Sequence, residues 1–441
     1  MSRRPVFSLI RPDCAGIDLG SSAHLVAVPE GRCENEVRTF GCFTSDLVAM
    51  GAWFAELGIK DVAMESTGVY WVPVYEALAG MGFRVALVDG RSAKALPGRK
   101  TDVQDCQWIR DLYMHGLLQP CVVPEGSVLA IRSYWRQRGR IVEQRSEQIQ
   151  LMQKALEQMN VQIHKVLTDI SGVSGLAIVR AILSGERNPR VLSELLVGQA
   201  RKKQDLVVKA LEGRWADHHL FALEEAVQTY DFLGSRLQEC DRRLDKEIAE
   251  LAGDSSGSGS GRSPIGRRRS SKNEPEGEIH ANLTKLLGCD PTQIDGIQVN
   301  TVATLVCELG VDLSRFRTEK HLSSYLGLCP ENQITGGNIK KSRTKKVTHR
   351  AANALRMAAQ SLHSSHSALG AYYRRLKARI GPAKAVTATA RKIATLYYRL
   401  VVNGQLYADP GEEAYNEKFR TKSIQRLKKQ ATKLGLVVVE G

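Results

Sequence analysis

The first quarter of the chain carries short apolar runs, and the rest carries apolar residues at helical spacing. The short runs, bounded by turn residues, predict five strands, at 14–19, 24–28, 37–40, 61–65 and 84–88. Apolar residues spaced three and four apart predict three helices among them, at 45–57, 71–81 and 102–115. Strands followed by strand–helix units favour an α/β domain with a mixed sheet and helices on its faces.

Two longer apolar stripes follow this α/β region. The first predicts one continuous helix over 126–168, and the second predicts a helix through 223–251. Their heptad-like spacing is typical of a coiled coil and indicates either an antiparallel helical hairpin or a seam between two copies of the chain. Arg138 and Arg145 interrupt the first stripe. The polar side, rich in Arg and Gln, is either a solvated surface or a contact with nucleic-acid backbone.

Beyond the stripes, composition divides the remaining chain. The Gly- and Ser-rich stretch 253–278 predicts a flexible linker, whose basic cluster adds a nucleic-acid contact through Arg267, Arg268 and Arg269. Helical patterns return further on, at 283–308, 319–326 and 351–400. The sequence therefore predicts four parts: an α/β domain at 1–125, a helical segment at 126–252, the linker at 253–278 and a mainly α-helical domain at 279–441.

The net charge of the chain indicates the class of its partner. The 441 residues carry 62 Lys and Arg against 47 Asp and Glu, a formal net charge of +15. This excess indicates a polyanion partner, of which nucleic acid is the commonest.

No run of 18 apolar residues is present, which predicts no membrane span. The first five residues, Met-Ser-Arg-Arg-Pro, lack the apolar core of a signal peptide, so a cytoplasmic protein is expected.

The nine cysteines argue against a disulfide framework or a zinc site. Their number is odd, and no Cys-x-x-Cys pair occurs. Free thiols are therefore expected. The histidine pairs His218-His219 and His363-x-x-His366 have no thiols or acids nearby at ligand spacing and are interpreted as helix-surface residues.

Four acids stand where a metal site would need them. Asp18 interrupts an apolar strand within Gly-Ile-Asp-Leu-Gly-Ser-Ser, and Glu65 ends another short apolar strand. Asp102 and Asp105 lie three apart, on one face of a predicted helix. Carboxylates suit Mg²⁺, and two such ions are a common device for phosphodiester cleavage. The alternative for each acid alone is a turn residue or a helix N-cap.

A dense basic stretch follows the motif Thr335-Gly336-Gly337. No acid occurs from 332 to 350, and six cations crowd together there, namely Lys340, Lys341, Arg343, Lys345, Lys346 and Arg350. Such a run beside a Gly-Gly turn indicates a loop that contacts phosphates, and the alternative is a solvated basic loop. Further on, Tyr372-Tyr373-Arg374-Arg375 and Tyr397-Tyr398-Arg399 interleave aromatic and basic residues, which either stack on bases or line half-buried helix faces.

Together the motifs Gly-Ile-Asp-Leu-Gly-Ser-Ser, Met-Glu-Ser-Thr-Gly-Val-Tyr-Trp, Lys-Thr-Asp-Val-Gln-Asp and Thr-Gly-Gly resemble one family of insertion-sequence transposases. It is the one-ten family, in its eleven-eleven subgroup of RNA-guided bridge recombinases. The resemblance implies a RuvC-like, ribonuclease H-like first domain followed by a coiled-coil segment and a transposase domain. It also implies a DEDD site in which Asp18, Glu65, Asp102 and Asp105 hold two Mg²⁺ ions.

The resemblance further implies a nucleophile and partners. In the family a serine directly before Gly-Gly attacks DNA, and here that position is Thr335, with Ser342 and Ser323 as fallback hydroxyls. A structured guide RNA would pair with donor and target DNA, and a homodimer would assemble into a tetramer. The expected location is the bacterial cytoplasm, at the nucleoid during activity. Two alternatives stay open: a metal-dependent junction nuclease that uses water, and a nucleic-acid-binding scaffold with an inactive site.

Overall fold

A five-stranded mixed sheet organises the N-terminal part of the chain. The computed structural model describes residues 9–66, 68–88, 102–118, 120, 121, 123, 126–254, 273–336, 338–344 and 349–435. It divides the chain into two compact units, Met1–Val123 and Pro124–Gly441. No helix among the described residues is long and apolar enough to cross a membrane. All nine cysteines are free thiols, as predicted.

The sheet confirms the predicted mixed α/β arrangement. Its strands are β1 (Cys14–Leu19), β2 (Ala23–Ala27), β3 (Val37–Gly41), β4 (Asp61–Glu65) and β5 (Arg84–Val88), in the order β3-β2-β1-β4-β5. The first three strands pair antiparallel, and β4 and β5 join them in parallel. Because β1 is central, both of its faces are covered and its sequence reads as an almost continuous apolar run.

Alternating residues of the strands face two separate cores. Ala15, Ile17 and Met64 pack on one face with α1 (Thr44–Glu56) and α2 (Trp71–Gly80). Cys14 and Ala63 point to the other face, where α3 (Asp102–Met114) lies. The period of two in a strand therefore decides which helix each side chain meets.

Two long helices begin the second unit and pair with each other. They are α4 (Ser127–Gln158) and α9 (Asp217–Asp254). Arg138 on α4 forms a buried ion pair with Asp241 on α9, and the Arg145 guanidinium lies 4.1 Å from the ring centroid of Tyr230. Residue numbers rise along one helix as they fall along the other, so the pair is antiparallel. The two arginines that interrupt the apolar stripe are thus partnered inside the pair.

The prediction of one helix over 126–168 is wrong in its last ten residues. The helix ends at Gln158, and Asn160 takes a left-handed φ of 57°. The chain then turns inward, so that Val161 and Ile163 are fully buried. Four short helices follow before α9: α5 (Ile163–Val166), α6 (Val173–Leu183), α7 (Pro189–Glu194) and α8 (Gln204–Ala210).

The predicted linker is only partly described. Its residues 255–272, including Arg267, Arg268 and Arg269, lie outside the described residues. Its last part is held against α9, because the backbone N–H of Glu276 donates to Asp241 and that of Glu278 donates to Asp245, both at 3.1 Å.

The C-terminal region consists of helices and one β-hairpin. The helices are α10 (Ile279–Leu287), α11 (Val299–Leu309), α12 (Glu319–Tyr325), α13 (Arg350–Ser361), α14 (Ala368–Ile380), α15 (Pro382–Asn403) and α16 (Gly411–Lys433). The hairpin strands are β6 (Pro330–Thr335) and β7 (Asn338–Thr344).

Two predicted long helices of this region are broken. The helix predicted at 283–308 stops at Gly288, whose φ of 67° is left-handed, and restarts at Val299. The one predicted at 351–400 is three helices, separated by a 3₁₀ turn at Leu362–Ser364 and by Gly381 before Pro382. Glycine with positive φ ends a helix at little cost, and proline starts the next one.

A buried carboxylate joins the long helix α4 to the C-terminal region. Glu308 on α11 is only 4% exposed and accepts hydrogen bonds from Arg132 at 2.8 Å and from Arg136 at 2.9 and 3.0 Å. Burial alone would raise the pKa of Glu308, but the two guanidinium groups outweigh it and hold the pKa below its usual value. This cluster is a buried charge network with both signs present.

Removing the charge of Glu308 should therefore strongly destabilise the second unit. Glu308→Gln leaves two arginines facing a neutral amide and should lower the free energy of unfolding by about 3–5 kcal/mol. Wild type should lose the stabilisation as the pH falls below the usual value of 4.5 and through the lower folded pKa. Denaturant unfolding followed by circular dichroism at pH 7 and pH 4 measures both effects.

The matched control is Asp231→Asn, which removes an exposed ion pair with Arg180. Its effect should stay below about 1 kcal/mol. Equal effects of the two substitutions would contradict a special role for the buried cluster.

Candidate functional site

Asp18 and Glu65 lie at the carboxyl ends of two neighbouring parallel strands. The register of β1 and β4 pairs Ile17 with Met64, so the next residue on each strand is one of the two acids. Both acids have the strand parity of Cys14 and Ala63, which pack on the side of α3. Both are partly exposed. The two carboxylates therefore share one face and one edge of the sheet.

Helix α3 lies directly against β1 at Gly16. A Cβ atom on Gly16 would be 2.3 Å from the carbonyl oxygen of Cys106 and 2.5 Å from the backbone nitrogen of Arg110. Real Cβ atoms do not approach backbone atoms that closely, so only glycine lets the helix lie this near the strand. The close approach fixes the start of α3 on the same face as Asp18 and Glu65.

The third acid, Asp105, is carried by the helix that packs against β1 in this way. It is half-buried in the first turn of α3, next to Cys106. Burial raises the pKa of the Cys106 thiol to about 11, and the negative charge of Asp18 adds to the shift. Asp18 is thus close enough to the start of α3 to influence a residue beside Asp105.

Asp102 is the first residue of α3, and its side chain lies outside the described atoms. Among the side chains that the structure does describe, no group of three or more acids, histidines or cysteines is placed to hold a metal. The donor chemistry nevertheless fits a hard divalent cation, since Asp18 and Glu65 are carboxylates at one edge of the sheet and Asp105 is in the first turn of the helix packed on that face.

Arg110 is a supporting residue that the sequence pattern did not reveal. It is 3% exposed, donates from Nη1 to the carbonyl oxygen of Val28 at 2.6 Å, and donates from Nε to Asp111 at 2.7 Å. Its backbone also contacts Gly16. The hydrogen bond to Val28 ties α3 to the end of β2 and so helps to fix the helix that carries Asp105. A buried arginine in an apolar helix face is the only signal the sequence offers for it.

Thr335 lies at the tip of a β-hairpin, where a loop was predicted. Residues Thr335 and Asn338 pair across a two-residue turn, and both Thr335 and Gly336 are exposed. Gly336 has a φ of 58°, the left-handed conformation that such tight turns require. The turn therefore presents the Thr335 hydroxyl to solvent, while Gly337 lies outside the described residues.

Three of the six basic residues after the turn lie on a strand, which corrects the predicted basic loop for that part. Lys340 is exposed on β7, and Arg350 is the exposed first residue of α13. Lys341 and Arg343 belong to β7, but their side chains lie outside the described atoms, as do Lys345 and Lys346 altogether. A strand of alternating side chains spreads its cations over two faces.

The two fallback hydroxyls differ in their surroundings. Ser323 is 1% exposed and donates to the carbonyl oxygen of Glu319 at 2.8 Å, so it is a structural hydroxyl within α12. Ser342 pairs with Asn332 inside the hairpin ladder. Neither residue occupies a turn, and Thr335 stays the predicted nucleophile.

Comparison with known proteins assigns both regions to transposases. Residues 15–161 match the family DEDD_Tnp_IS110, described as Transposase, and this range contains all four acids. Residues 292–374 match the Transposase IS116/IS110/IS902 family, and this range contains Thr335 and the hairpin. Together the matches cover just over half of the chain. No curated protein matches it.

The fold and the two matches define the class of protein: this is an enzyme that acts on DNA, a transposase or recombinase of an insertion sequence. The two matches together support an IS110-family transposase. The first unit is consistent with a RuvC-like DEDD fold, and the DEDD match supports dependence on a divalent metal.

Gly16→Ala should disturb this site without touching an acid. The added methyl group would push α3 away from β1, and such overpacking costs about 1–3 kcal/mol. DNA cleavage should fall more than this loss of stability explains, because Asp105 moves with the helix. Thermal unfolding and a plasmid-cleavage assay measure the two effects.

The control is Gly80→Ala in the same unit, where a Cβ would meet no atom within 4 Å. It should leave both unfolding and cleavage unchanged. Full activity of Gly16→Ala would show that the position of α3 does not matter for cleavage.

Proposed function

We propose that this chain is an RNA-guided DNA recombinase that cuts and rejoins strands through a covalent protein–DNA ester. The observation that carries the proposal is the placement of Asp18 and Glu65 at adjacent parallel strand ends beneath α3, as a two-metal phosphoryl-transfer site requires. RNA guidance is proposed from the resemblance to the bridge recombinases. The covalent ester is proposed from that resemblance and from the exposed hydroxyl of Thr335.

In this proposal Thr335 attacks a DNA phosphate through its side-chain hydroxyl. A bond forms between Oγ1 and phosphorus, the phosphorus–oxygen bond of the DNA strand breaks, and the departing DNA oxygen receives a proton in exchange for the one that the hydroxyl loses. The reverse reaction, in which a DNA hydroxyl from another strand attacks the protein–DNA ester, rejoins the DNA and frees Thr335. Each step exchanges one phosphate ester for another, so neither cutting nor rejoining needs an outside source of energy.

The four acids Asp18, Glu65, Asp102 and Asp105 would hold Mg²⁺, in two ions by the family resemblance. When bound, the metal supplies stabilisation of the charge that develops on the phosphate oxygens. The chain's own part is to hold these carboxylates at fixed positions on β1, β4 and α3. The acids belong to the first unit and Thr335 to the second, and we propose that subunits of a dimer, paired into a tetramer, complete each other's sites.

Nucleic-acid contacts are assigned to the basic residues. The phosphate-binding set around Gly336 and Gly337 comprises Lys340, Lys341, Arg343, Lys345, Lys346 and Arg350, with Arg267, Arg268 and Arg269 in the linker. A structured guide RNA would pair with donor and target DNA, in the cytoplasm at the nucleoid. Sequencing the RNA that co-purifies with the chain tests guidance, and absence of a discrete structured species would contradict it.

Asp18→Asn should abolish DNA cleavage while the fold persists. A neutral amide is a poor Mg²⁺ ligand, and loss of the Asp18 carboxylate as a direct metal ligand should reduce cleavage by at least about 100-fold. The melting temperature should change little, because removing one of several neighbouring carboxylates relieves their repulsion. Cleavage of supercoiled plasmid in Mg²⁺ and a thermal melt give both results. Glu30→Gln, at an exposed turn of the same unit, is the control. Normal cleavage by Asp18→Asn would refute the metal site.

Thr335→Ala should eliminate the covalent DNA adduct and strand exchange, while binding of RNA persists. Thr335→Ser should restore or raise activity, because serine keeps the hydroxyl and lacks the methyl group that crowds an in-line approach. Denaturing gels of radiolabelled DNA detect the adduct. Thr344→Ala, an exposed threonine at the other end of the hairpin, is the matched control and should be active.

The alternatives give different patterns in the same assay. An adduct in Thr335→Ala would place the nucleophile elsewhere, with Ser342 next to test. Mg²⁺-dependent nicking without an adduct in any variant would favour the water-using junction nuclease. Binding of DNA with no cleavage at all would favour the inactive scaffold.

A further inference from the structure

A groove of about 900 Å³ runs between α14 and α16 in the C-terminal region. Six cationic side chains line it, and no carboxylate is among the described residues that do so. The cations are Arg375, Arg379, Lys392, Lys418, Lys422 and Arg426. We call this the C-terminal groove. It is distinct from the residues around Thr335 and from the acids of the first unit.

Four aromatic side chains share the lining with these cations. They are Tyr372, Tyr407, Tyr415 and Phe419. The Arg375 guanidinium lies 4.0 Å from the ring centroid of Phe419, 5.6 Å from that of Tyr415 and 5.7 Å from that of Tyr372. Phe419 is still 41% exposed, so a ring face is open to a ligand. Among the two motifs of alternating aromatic and basic residues, only the first reaches this groove, since Tyr397 and Tyr398 are buried.

Packing of α16 alone does not account for the groove. The helix has no fully buried residue, although it spans Gly411–Lys433. The described part of the chain offers no hydrogen-bond acceptor to the buried Nε of Arg375. At the start of α16, Glu412 is paired with Arg374 at 2.6 Å, and Asp409, just before the helix, accepts from the backbone N–H of Ala368 at 3.0 Å. These two carboxylates thus have partners other than the cations of the groove, whose lining, among the described residues, contains no acid to neutralise them.

We propose that the C-terminal groove binds a single strand of DNA, with phosphates on its lysines and arginines and bases stacked on its aromatic rings. Such a combination of a basic channel with open ring faces is what proteins use for unpaired strands. A duplex keeps its bases stacked inside and has no face to offer the rings. The assignment to DNA rests on the proposed function, because cutting and exchanging DNA strands exposes an unpaired end.

The test measures binding of fluorescent oligothymidylate to the full chain, without divalent metal, by anisotropy. Lys418→Ala with Lys422→Ala should weaken binding and lower the salt slope by about 0.7 per lost phosphate contact. Arg420→Ala with Lys428→Ala removes the same charge from positions of α16 outside the groove lining and is the control. Phe419→Ala should weaken binding at least about fivefold, and Phe232→Ala, an exposed phenylalanine of α9, should not.

Photo-crosslinking identifies where the strand lies, whatever other sites the chain has. An oligonucleotide carrying 5-iododeoxyuridine should crosslink to Tyr372, Tyr415 or Phe419, as read by mass spectrometry of the peptides. Equal loss of binding in both charge variants, or crosslinks only outside the groove, would overturn the proposal. Preferential crosslinking of an RNA strand of the same length would overturn the assignment to DNA. Because no cleavage is needed, failure here is separate from failure of the recombinase chemistry.

Discussion

The contact between α3 and β1 at Gly16 is the constraint on which the acid site depends. Side chains normally separate a strand from a helix that packs on it, but here the helix backbone lies too close to Gly16 to leave room for a Cβ. Burial of Cys106 and of Arg110, with its hydrogen bond to Val28, keeps the helix in that position. Asp105 thereby comes to the face of the sheet that already carries Asp18 and Glu65. The position of Asp105 on this face thus rests on a residue that has no side chain.

The sequence predicted the strands well, because they are local signals, whereas the metal-binding role of the acids stays a prediction. A strand buried on two faces reads as an apolar run, and an acid that interrupts it, such as Asp18, is conspicuous. The β6–β7 hairpin was missed because its strands, Pro-Glu-Asn-Gln-Ile-Thr and Asn-Ile-Lys-Lys-Ser-Arg-Thr, are polar and show no alternation of apolar and polar residues in the sequence. The signal that was present is the Gly336-Gly337 pair, which a two-residue hairpin turn favours as much as a phosphate-binding loop does.

The errors in the helices have a different cause. Apolar spacing continues through 158–163, but the left-handed Asn160 and the inward turn that buries Val161 end the helix. The charged residues within apolar stripes are explained only by partners far away in the chain: Arg138 by Asp241, and Glu308 by two arginines of α4. No periodicity can reveal such pairs, because the sign and position of the partner are fixed by tertiary packing.

The two kinds of functional group are supported in opposite ways, and this follows from what each must do. The proposed metal site needs carboxylates at fixed separations, and strand ends beneath a packed helix can provide them. A hydroxyl that attacks DNA needs access, and the exposed tip of a hairpin provides it. An exposed threonine hydroxyl is by itself a weak nucleophile, so the proposed attack by Thr335 requires activation by a neighbouring base or metal. In the proposed mechanism the acids belong to one unit and Thr335 to the other, so the reaction would be restrained until the subunits assemble on DNA.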